Sequence, residues 1–369
     1  MRKNCSGKSL ARFASENEIA MGMTNVLYDK ILRPLLFSLD AETAHHCAMN
    51  CLVALTQNPP LMSLIQPSRN PALERIVFGL KFPNPVGLAA GFDKNAAALP
   101  AWEALGFGFI EAGTITAHGQ PGNPKPRIFR IPEKRALINR LGFNNDGADA
   151  LAERLRGLHA SGRWPRVPLG LNLGKSKVTP LDEATSDYLA SFEKLFSHGD
   201  YFVLNVSSPN TPGLRKLQDK AALDELLGAV QQKNLELASR DALHRPKPLL
   251  VKIAPDLEFA QIAEVLELAE AHSLAGIVAT NTTLDHSSVP AGRDQMGGLS
   301  GSPLRARATE IVRFICSETT MPVIAVGGIG DADSALEKMD AGASLIQLYT
   351  GFVYRGPPLI REICRALAR

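Results

Sequence analysis

Residues 201–213 read Tyr201-Phe-Val-Leu-Asn-Val-Ser-Ser-Pro-Asn-Thr-Pro-Gly213, an apolar run that leads into a loop rich in proline. The run is typical of a buried strand, yet Asn205 lies inside it, and Ser208 and Asn210 follow at its end. Burying an unpaired amide costs on the order of a few kcal/mol, so Asn205 requires partners from the protein or from a bound ligand. The segment therefore predicts a buried strand that ends at a reaction site.

Seven other apolar runs of similar length occur along the chain. The eight runs span residues 86–91, 107–114, 169–174, 201–208, 249–254, 276–281, 322–328 and 344–350. Continuous apolar runs are typical of parallel strands that are buried on both faces. The stretches between them, such as 261–272 and 331–340, have the length and apolar spacing of helices. Eight strand and helix units in series predict a (β/α)8 TIM barrel, with residues 71–369 as its domain.

The region before the barrel has a helical pattern. Residues 26–36 carry an apolar stripe at helical spacing, and Asp40 is a candidate N-cap for a second helix. The Asn58-Pro-Pro60 sequence ends that helix. We therefore predict two short amphipathic helices in an N-terminal extension at residues 23–70.

This extension has two interpretations. It is either a helical cap that packs on the barrel, or a surface pair of helices whose apolar face enters a bilayer. In the second case Lys30 and Arg33 would meet lipid head groups. Residues 1–22 are polar and of mixed charge, which indicates a disordered leader or an over-long start of the chain.

Composition and charge exclude several classes of protein. The 369 residues carry 40 basic and 37 acidic side chains, and this net charge of +3 is too balanced for a nucleic-acid binder. The five cysteines are scattered and form no CxxC pair, so neither a disulfide framework nor a metal site is indicated. The apolar runs are shorter than the roughly 20 residues that span a bilayer. We expect neither a metal nor a nucleic acid as a ligand.

Polar residues cluster at the C-terminal ends of the predicted strands, where barrel enzymes hold their catalytic side chains. They are the 89–93 turn with Lys94, then Thr114, Asn172, Asn205, Ser208, Asn210, Lys252 and the Thr280-Asn-Thr282 sequence. A carboxamide offers a donor and an acceptor side by side, which matches the alternating C=O and N–H edge of a pyrimidine-like ring. Lys94 and the 139–143 loop are candidates for binding a ligand carboxylate, although Arg140 equally fits a surface position.

Glycines follow the last strands. They lie in Val326-Gly-Gly-Ile-Gly330, Tyr349-Thr-Gly351 and Gly297-Gly-Leu-Ser-Gly301. Small residues let backbone N–H groups approach an anion, and barrels often bind a phosphate group at this place. No GxGxxG pattern follows a strand, so a Rossmann nicotinamide site is not indicated.

Lys252, in the fifth predicted strand, has two chemical interpretations. It could form a Schiff base with a carbonyl substrate, or hold a positive charge beside a cofactor that becomes anionic. A Schiff-base enzyme needs no second base of the Ser208 type in a pocket of four asparagines, so the neighbouring residues favour the second interpretation. A Schiff-base lyase and a non-catalytic, membrane-docked barrel are the alternatives.

Six motifs resemble those of the quinone-dependent class 2 of the dihydroorotate dehydrogenase family. They are Leu88-Ala-Ala-Gly-Phe-Asp-Lys94, Asn139-Arg-Leu-Gly-Phe-Asn144, Asn205-Val-Ser-Ser-Pro-Asn-Thr-Pro-Gly-Leu214, Val251-Lys-Ile-Ala-Pro-Asp256, Ala279-Thr-Asn-Thr-Thr283 and Gly297-Gly-Leu-Ser-Gly301. The resemblance runs from about residue 25 to the C-terminus. Ser208 stands where the soluble class 1 enzymes carry cysteine, and class 2 enzymes receive quinone through a helical extension.

The resemblance implies a flavin mononucleotide (FMN) barrel, with one FMN per chain, that oxidises (S)-dihydroorotate to orotate in pyrimidine synthesis. Electrons would pass to a membrane quinone, and the protein would be peripheral to the cytoplasmic face of a bacterial inner membrane. Ser208 would remove the C5 proton, with Thr211 and Phe143 in the proton route. Lys252 would stabilise negative charge on the reduced flavin.

The resemblance also implies two sets of binding residues. The substrate contacts would be Lys94, Asn139, Arg140, Leu141, Gly142, Phe143, Asn205, Asn210, Asn281 and Thr282. The flavin contacts would be Ala90, Gly91, Phe92, Asp93, Lys94, Thr114, Asn172, Asn205, Lys252, Thr280, Gly301, Gly328, Tyr349 and Thr350.

Overall fold

The computed structural model describes residues 27–211, 213–240 and 245–369, and the predicted leader at residues 1–22 lies outside them. Its strands are β1 (Arg75–Val77), β2 (Leu80–Phe82), β3 (Val86–Leu88), β4 (Phe109–Ile115), β5 (His118–Gln120), β6 (Ile128–Ile131), β7 (Ala136–Asn139), β8 (Asn145–Gly147), β9 (Leu169–Leu173), β10 (Tyr201–Asn205), β11 (Leu249–Ile253), β12 (Gly276–Ala279), β13 (Gly298–Gly301), β14 (Val323–Val326) and β15 (Leu345–Leu348). Eight of them close into a parallel barrel in the order β10-β11-β12-β14-β15-β3-β4-β9. The predicted (β/α)8 barrel is confirmed.

The eight predicted strands are all present, but most are shorter than their apolar runs. β10 ends at Asn205 rather than Ser208, and β12 ends at Ala279 rather than Asn281. The residues that follow β10 bond locally instead: the Asn210 backbone N–H, for example, donates to Ser208 Oγ. The last residues of these runs therefore belong to loops at the C-terminal end of the barrel.

Helices cover the outside of the barrel. They are α1 (Arg33–Ser38), α2 (Ala41–Thr56), α3 (Pro59–Ile65), α4 (Leu99–Ala104), α5 (Ala148–Ala160), α6 (Ala184–Leu195), α7 (Lys220–Ser239), α8 (Phe259–Ala271), α9 (Arg305–Glu318), α10 (Ala332–Asp340), α11 (Thr350–Arg355) and α12 (Pro358–Leu367). Capping boxes begin α8, through Glu258 and Gln261, and α10, through Asp331 and Ser334. Both helices lie where the sequence predicts them.

Aromatic side chains close the N-terminal end of the barrel. The β1–β2 hairpin places Phe82 edge-on against Phe109, with ring centroids 5.4 Å apart, and its Phe78 ring lies 6.3 Å from Tyr201. Phe82, Phe109 and Tyr201 are fully buried. Because this end is filled, the space for a ligand lies at the C-terminal ends of the strands, where barrel enzymes hold their active sites.

The N-terminal extension contains a π-helical turn (Tyr28–Leu32) followed by α1, α2 and α3. Asp40 caps α2 as predicted, because its carboxylate accepts hydrogen bonds from two backbone N–H groups in the first turn. The sequence predicts two helices in the extension, and the structure contains a further one, α3, which was not predicted. Asn58-Pro-Pro60 ends α2 and also begins α3, since proline is favoured in the first turn of a helix. None of the helices in the described ranges is long and apolar enough to cross a bilayer.

A buried ion pair joins the extension to the barrel domain. Glu42 on α2 pairs with Arg127 at 2.7 Å, and both side chains are less than one-tenth exposed. Arg127 also donates to the Pro121 carbonyl oxygen at 2.6 Å. Elsewhere in the contact, the Tyr28 hydroxyl donates to the Val353 carbonyl oxygen at 2.7 Å. The extension is therefore held by specific polar contacts as well as by packing.

Replacing Arg127 with methionine is expected to lower the free energy of unfolding by about 3 kcal/mol, because it leaves the buried Glu42 carboxylate with two exposed partners, Lys125 and His46. Urea unfolding followed by circular dichroism measures this change. The control is Lys81→Met, which removes an exposed pair of similar length with Glu74 and should cost less than about 1 kcal/mol. Equal losses in the two variants would contradict the importance of the buried pair.

Candidate active site

A cavity at the C-terminal ends of the barrel strands collects most of the predicted site residues. Those that line it are Ala90, Gly91, Lys94, Thr114, Asn139, Leu141, Gly142, Phe143, Asn205, Ser208, Asn210, Lys252, Thr280, Asn281, Thr282, Gly301, Gly328, Tyr349 and Thr350. They come from the first barrel strand, from the last, and from most of those between. Closure of the barrel thus brings distant parts of the chain to one space.

Three of the predicted residues lie behind the cavity wall. Asn172 is fully buried and bonds to residues that line the cavity. The Phe92 ring packs against the Tyr349 ring at 5.1 Å. Asp93 accepts hydrogen bonds from two backbone N–H groups and from Trp102 Nε1, so its carboxylate is used within the protein.

Arg140 also does not line the cavity. Its guanidinium donates to the carbonyl oxygen of Pro126 at 3.0 and 3.2 Å and to that of Met296 at 3.4 Å. It also lies over the Phe129 ring, 4.7 Å from the centroid. Of the two positions that the sequence allowed for Arg140, in the ligand site or at the surface, these contacts agree with the surface position.

A hydrogen-bonded network under the cavity runs towards Glu111, a fully buried carboxylate on β4. Asn172 Nδ2 and Gln347 Nε2 donate to its two oxygens at 2.8 and 2.5 Å. Thr114 Oγ1 donates to Asn172 Oδ1 at 2.5 Å, and Asn205 Nδ2 donates to Thr114 Oγ1 at 2.9 Å. Because a carboxylate only accepts hydrogen bonds, Glu111 fixes the orientation of both amides that donate to it.

Three polar groups beside the cavity lack a hydrogen-bond partner within the described part of the chain. Lys252 is 5% exposed and makes no hydrogen bond; burial lowers its pKa, and the charge of Glu111 opposes this shift. Gln347 Oε1 and Thr282 Oγ1 are buried without a partner. Leaving such groups unpaired is costly, so all three indicate a polar ligand above the Glu111 network.

Asn205, Ser208 and Asn210 of the 201–213 segment line the same cavity. Asn205 Oδ1 accepts a hydrogen bond from Asn281 Nδ2 at 3.3 Å, so protein partners account for part of its buried amide. Ser208 is 5% exposed, and its Oγ accepts from the Asn210 backbone N–H at 3.3 Å. Asn210 Nδ2 in turn donates to Asn139 Oδ1 at 3.2 Å. Four amides and one hydroxyl therefore converge on one region.

Lys94 supplies a cation at the side of the cavity nearest the extension. Its ammonium donates to Asn144 Oδ1. Burial, assisted by the charge of Arg127 and opposed by that of Glu42, lowers the pKa of Lys94 to about 7. An anionic ligand would stabilise the protonated form, so Lys94 suits a carboxylate.

Glycine backbone forms the wall at the ends of β14 and β15. A Cβ atom on Gly328 would lie 2.2 Å from Arg305 Cα, and one on Gly351 would lie 2.0 Å from the Ile329 carbonyl oxygen. Both positions therefore require glycine. Gly328 and Gly351 also line the cavity, so backbone rather than side chains faces it on this side, as the predicted phosphate site requires.

Sequence reasoning missed three polar residues of the site. They are Glu111, Gln347 and Ser300, whose Oγ lies 2.8 Å from Thr350 Oγ1. Gln347 and Glu111 each interrupt an apolar run, as Asn205 does. The signal that identified Asn205 could therefore have found them.

The chain is similar to known proteins in both sequence and structure. A family model described as dihydroorotate dehydrogenase matches residues 72–369. A relative from Gloeobacter violaceus, called dihydroorotate dehydrogenase (quinone), is 51% identical and covers 92% of this chain and 93% of its own length. A relative of the same name from Salinispora arenicola is 52% identical, over 92% of this chain and 99% of its own.

Solved structures that resemble this chain carry the name DHODH, the abbreviation of dihydroorotate dehydrogenase. A crystal structure of DHODH from Eimeria tenella in complex with ferulenol has a TM-score of 0.81 and 37% identity, over 88% of this chain and 90% of that one. A ligand-free form of DHODH from the same organism has a TM-score of 0.79 and 36% identity, over 89% and 94%. With half of its residues identical to relatives that it matches over nearly their whole length, the chain belongs to the dihydroorotate dehydrogenase family.

Proposed function

We propose that this protein oxidises dihydroorotate to orotate in pyrimidine synthesis, as a quinone-dependent dihydroorotate dehydrogenase. The supporting observation is that Ser208, Lys94 and the asparagine amides surround one cavity above the buried Lys252. The amides match the N–H and C=O edge of the dihydropyrimidine ring, and Lys94 matches its carboxylate. The relatives called dihydroorotate dehydrogenase (quinone) support the same reaction.

A flavin is the cofactor of this family, and we assign it as one FMN per chain. Lys252 and Gln347 Oε1 offer an unpaired cation and an unpaired acceptor to the polar edge of a flavin ring. Gly328 and Gly351 line the cavity, and backbone N–H groups without side chains suit a phosphate there. When bound, a flavin supplies the acceptor for the hydride that leaves C6 of dihydroorotate. Lys252 holds a positive charge where negative charge develops.

Ser208 takes the C5 proton of dihydroorotate in this proposal. A hydroxyl is a poor base in water, so the site must exclude solvent and pass the proton onward. The low exposure of Ser208 supports the first requirement. Phe143 and Thr211 are each less than one-tenth exposed and remain the predicted walls of the proton route.

The N-terminal extension is proposed to dock on a membrane and to admit the quinone. From residue 27 onward, where the structure describes it, its exposed large apolar side chains are Leu27, Ile31, Leu32, Leu35, Leu39, Leu61 and Leu64, of which Leu64 is 81% exposed. Rings connect it to the cavity, since His45 on α2 lies 5.3 Å from Phe92 and Phe92 lies 5.1 Å from Tyr349. We propose a peripheral position on the cytoplasmic face of a bacterial inner membrane.

Anaerobic spectroscopy of the purified protein tests this function. Dihydroorotate should bleach the flavin absorbance, and a ubiquinone or menaquinone analogue should restore it faster than fumarate or NAD. A colourless, folded protein that borohydride traps on Lys252 together with a carbonyl substrate would identify a Schiff-base lyase instead. A protein that no dihydropyrimidine bleaches would be a non-catalytic barrel.

Orotate is expected to bind more weakly as the pH rises above about 7. Its carboxylate binds protonated Lys94, and the free lysine loses its proton near this pH. The dissociation constant should be flat below the pKa and should rise above it, approaching about tenfold per pH unit. Orotate titrations of the flavin spectrum, from about pH 6 to about pH 9, measure this dependence.

Two variants control the pH experiment. Lys94→Gln should bind orotate weakly at every pH, because it has no proton to lose. Lys177→Gln removes an exposed lysine outside the cavity and should keep the pH dependence of the wild type. A pH-independent dissociation constant in the wild type would contradict the role of Lys94.

A further inference from the structure

Arg215 joins three of the loops that surround the cavity. It lies in the short helical turn Leu214–Gln218 that follows β10. Its Nε donates to the Ser207 carbonyl oxygen at 3.1 Å, and its Nη2 donates to the Thr282 carbonyl oxygen at 3.1 Å. Its Nη1 donates to the Asp256 carboxylate at 2.8 Å. These acceptors follow β10, β12 and β11, and the planar guanidinium fixes them relative to one another.

Ser207, the residue before Ser208, is held from two sides. Its Oγ donates to Asn205 Oδ1 at 3.0 Å and accepts from Asn281 Nδ2 at 2.9 Å. Its carbonyl oxygen accepts from Arg215. The peptide bond between Ser207 and Ser208 is therefore fixed by contacts on both sides. Arg215 acts on this peptide bond although it does not itself line the cavity.

Asp256 anchors this arrangement. Its carboxylate accepts hydrogen bonds from Thr283 Oγ1 and from the Leu284 backbone N–H, in addition to its bond with Arg215. The side chains of Arg215 and Asp256 are only 22% and 28% exposed. A charge-assisted pair with several bonds and limited solvent access holds a geometry better than a solvated surface pair.

We propose that Arg215 is a positioning residue that sets the place of Ser208 relative to Thr282, with Asp256 orienting Arg215. This inference rests on the proposed function, because it gives Ser208 the C5 proton. Displacing a reacting group by about 1 Å can slow a reaction about a hundredfold. An arginine that only stabilised the loops would affect unfolding and would leave the proton step unchanged.

Arg215→Gln is expected to slow flavin reduction at saturating dihydroorotate by about tenfold to a hundredfold, while the orotate dissociation constant changes less than about threefold. Deuterium at C5 of the substrate should slow reduction more in this variant than in the wild type, because proton transfer to Ser208 becomes limiting. Deuterium at C6 should show no such gain. Asp256→Asn should shift both measurements in the same direction.

Two further variants make the test decisive. Arg215→Lys keeps a cation for Asp256 but lacks the planar fork that reaches two carbonyl oxygens, so its reduction rate should lie between the wild type and Arg215→Gln. Arg240→Gln removes an arginine whose ion pairs with Glu193 and Glu236 are exposed, and it should match the wild type.

A wild-type reduction rate and C5 isotope effect in folded, flavin-loaded Arg215→Gln would overturn the inference, even if its melting temperature falls. If Arg215→Gln does not fold, Arg215→Lys gives the answer by the same isotope measurement. A wild-type protein that dihydroorotate does not reduce would instead remove the proposed function. The two failures are therefore distinguishable.

Discussion

Ser208→Ala is expected to keep its flavin and to bind orotate, while dihydroorotate reduces it about 10² to 10⁴ times more slowly than the wild type. The binding should survive because, within the described ranges, Ser208 Oγ makes one long hydrogen bond, from the Asn210 N–H at 3.3 Å. A methyl group in its place leaves the amides of Asn139, Asn205 and Asn281 where they are. The rate should fall because the remaining groups of the cavity offer no base in its position.

Anaerobic stopped-flow reduction measures this loss, and a cysteine variant sharpens it. Ser208→Cys introduces a thiol whose ordinary pKa is about 8.5, so reduction should be faster than in Ser208→Ala and should increase with pH up to about that value. Ser208→Ala should show no such pH dependence. Unchanged reduction kinetics in Ser208→Ala would remove Ser208 from the mechanism.

The barrel strands could be predicted from the sequence because each is a local pattern. The apolar run of β10 and its seven counterparts need no knowledge of their neighbours to be recognised as buried strands. Their ends could not be predicted, because a polar residue such as Ser207 accepts a hydrogen bond from Asn281 only after the barrel has closed. Helix α3 was missed because a proline pair ends one helix and starts another equally well.

The site residues within motifs could be predicted from the sequence, whereas the roles of residues that act through other residues could not. A charge inside an apolar run makes Glu111 a candidate, but its role appears only when Asn172 and Gln347 are seen to donate to it. Arg215 is likewise ordinary in sequence. Its meaning depends on acceptors that lie 8, 41 and 67 positions away along the chain. Such roles depend on three-dimensional contacts rather than on residue type.

Lys252→Met is expected to destabilise the fold and to lose most of the bound flavin. The fully buried Glu111 is its charged neighbour, and the substitution removes the positive charge that acts on that carboxylate. The two groups form no direct ion pair, so the loss of stability should be smaller than the about 3–5 kcal/mol that breaking a buried ion pair costs. Flavin should be lost because the positive charge beside its polar edge is gone.

The double variant Lys252→Met with Glu111→Gln separates these two effects. It removes both charges, so it should recover much of the stability that either single variant loses, as a double-mutant cycle in urea measures. It should not recover flavin content per chain or the reduction potential, because those depend on the ammonium itself. If the double variant is no more stable than Lys252→Met, then the charge of Glu111 is not what Lys252 balances. If Lys252→Met binds flavin fully at the wild-type potential, the ammonium does not lie against the flavin ring. Only a lysine that serves both the buried carboxylate and the cofactor predicts recovery of stability without recovery of flavin.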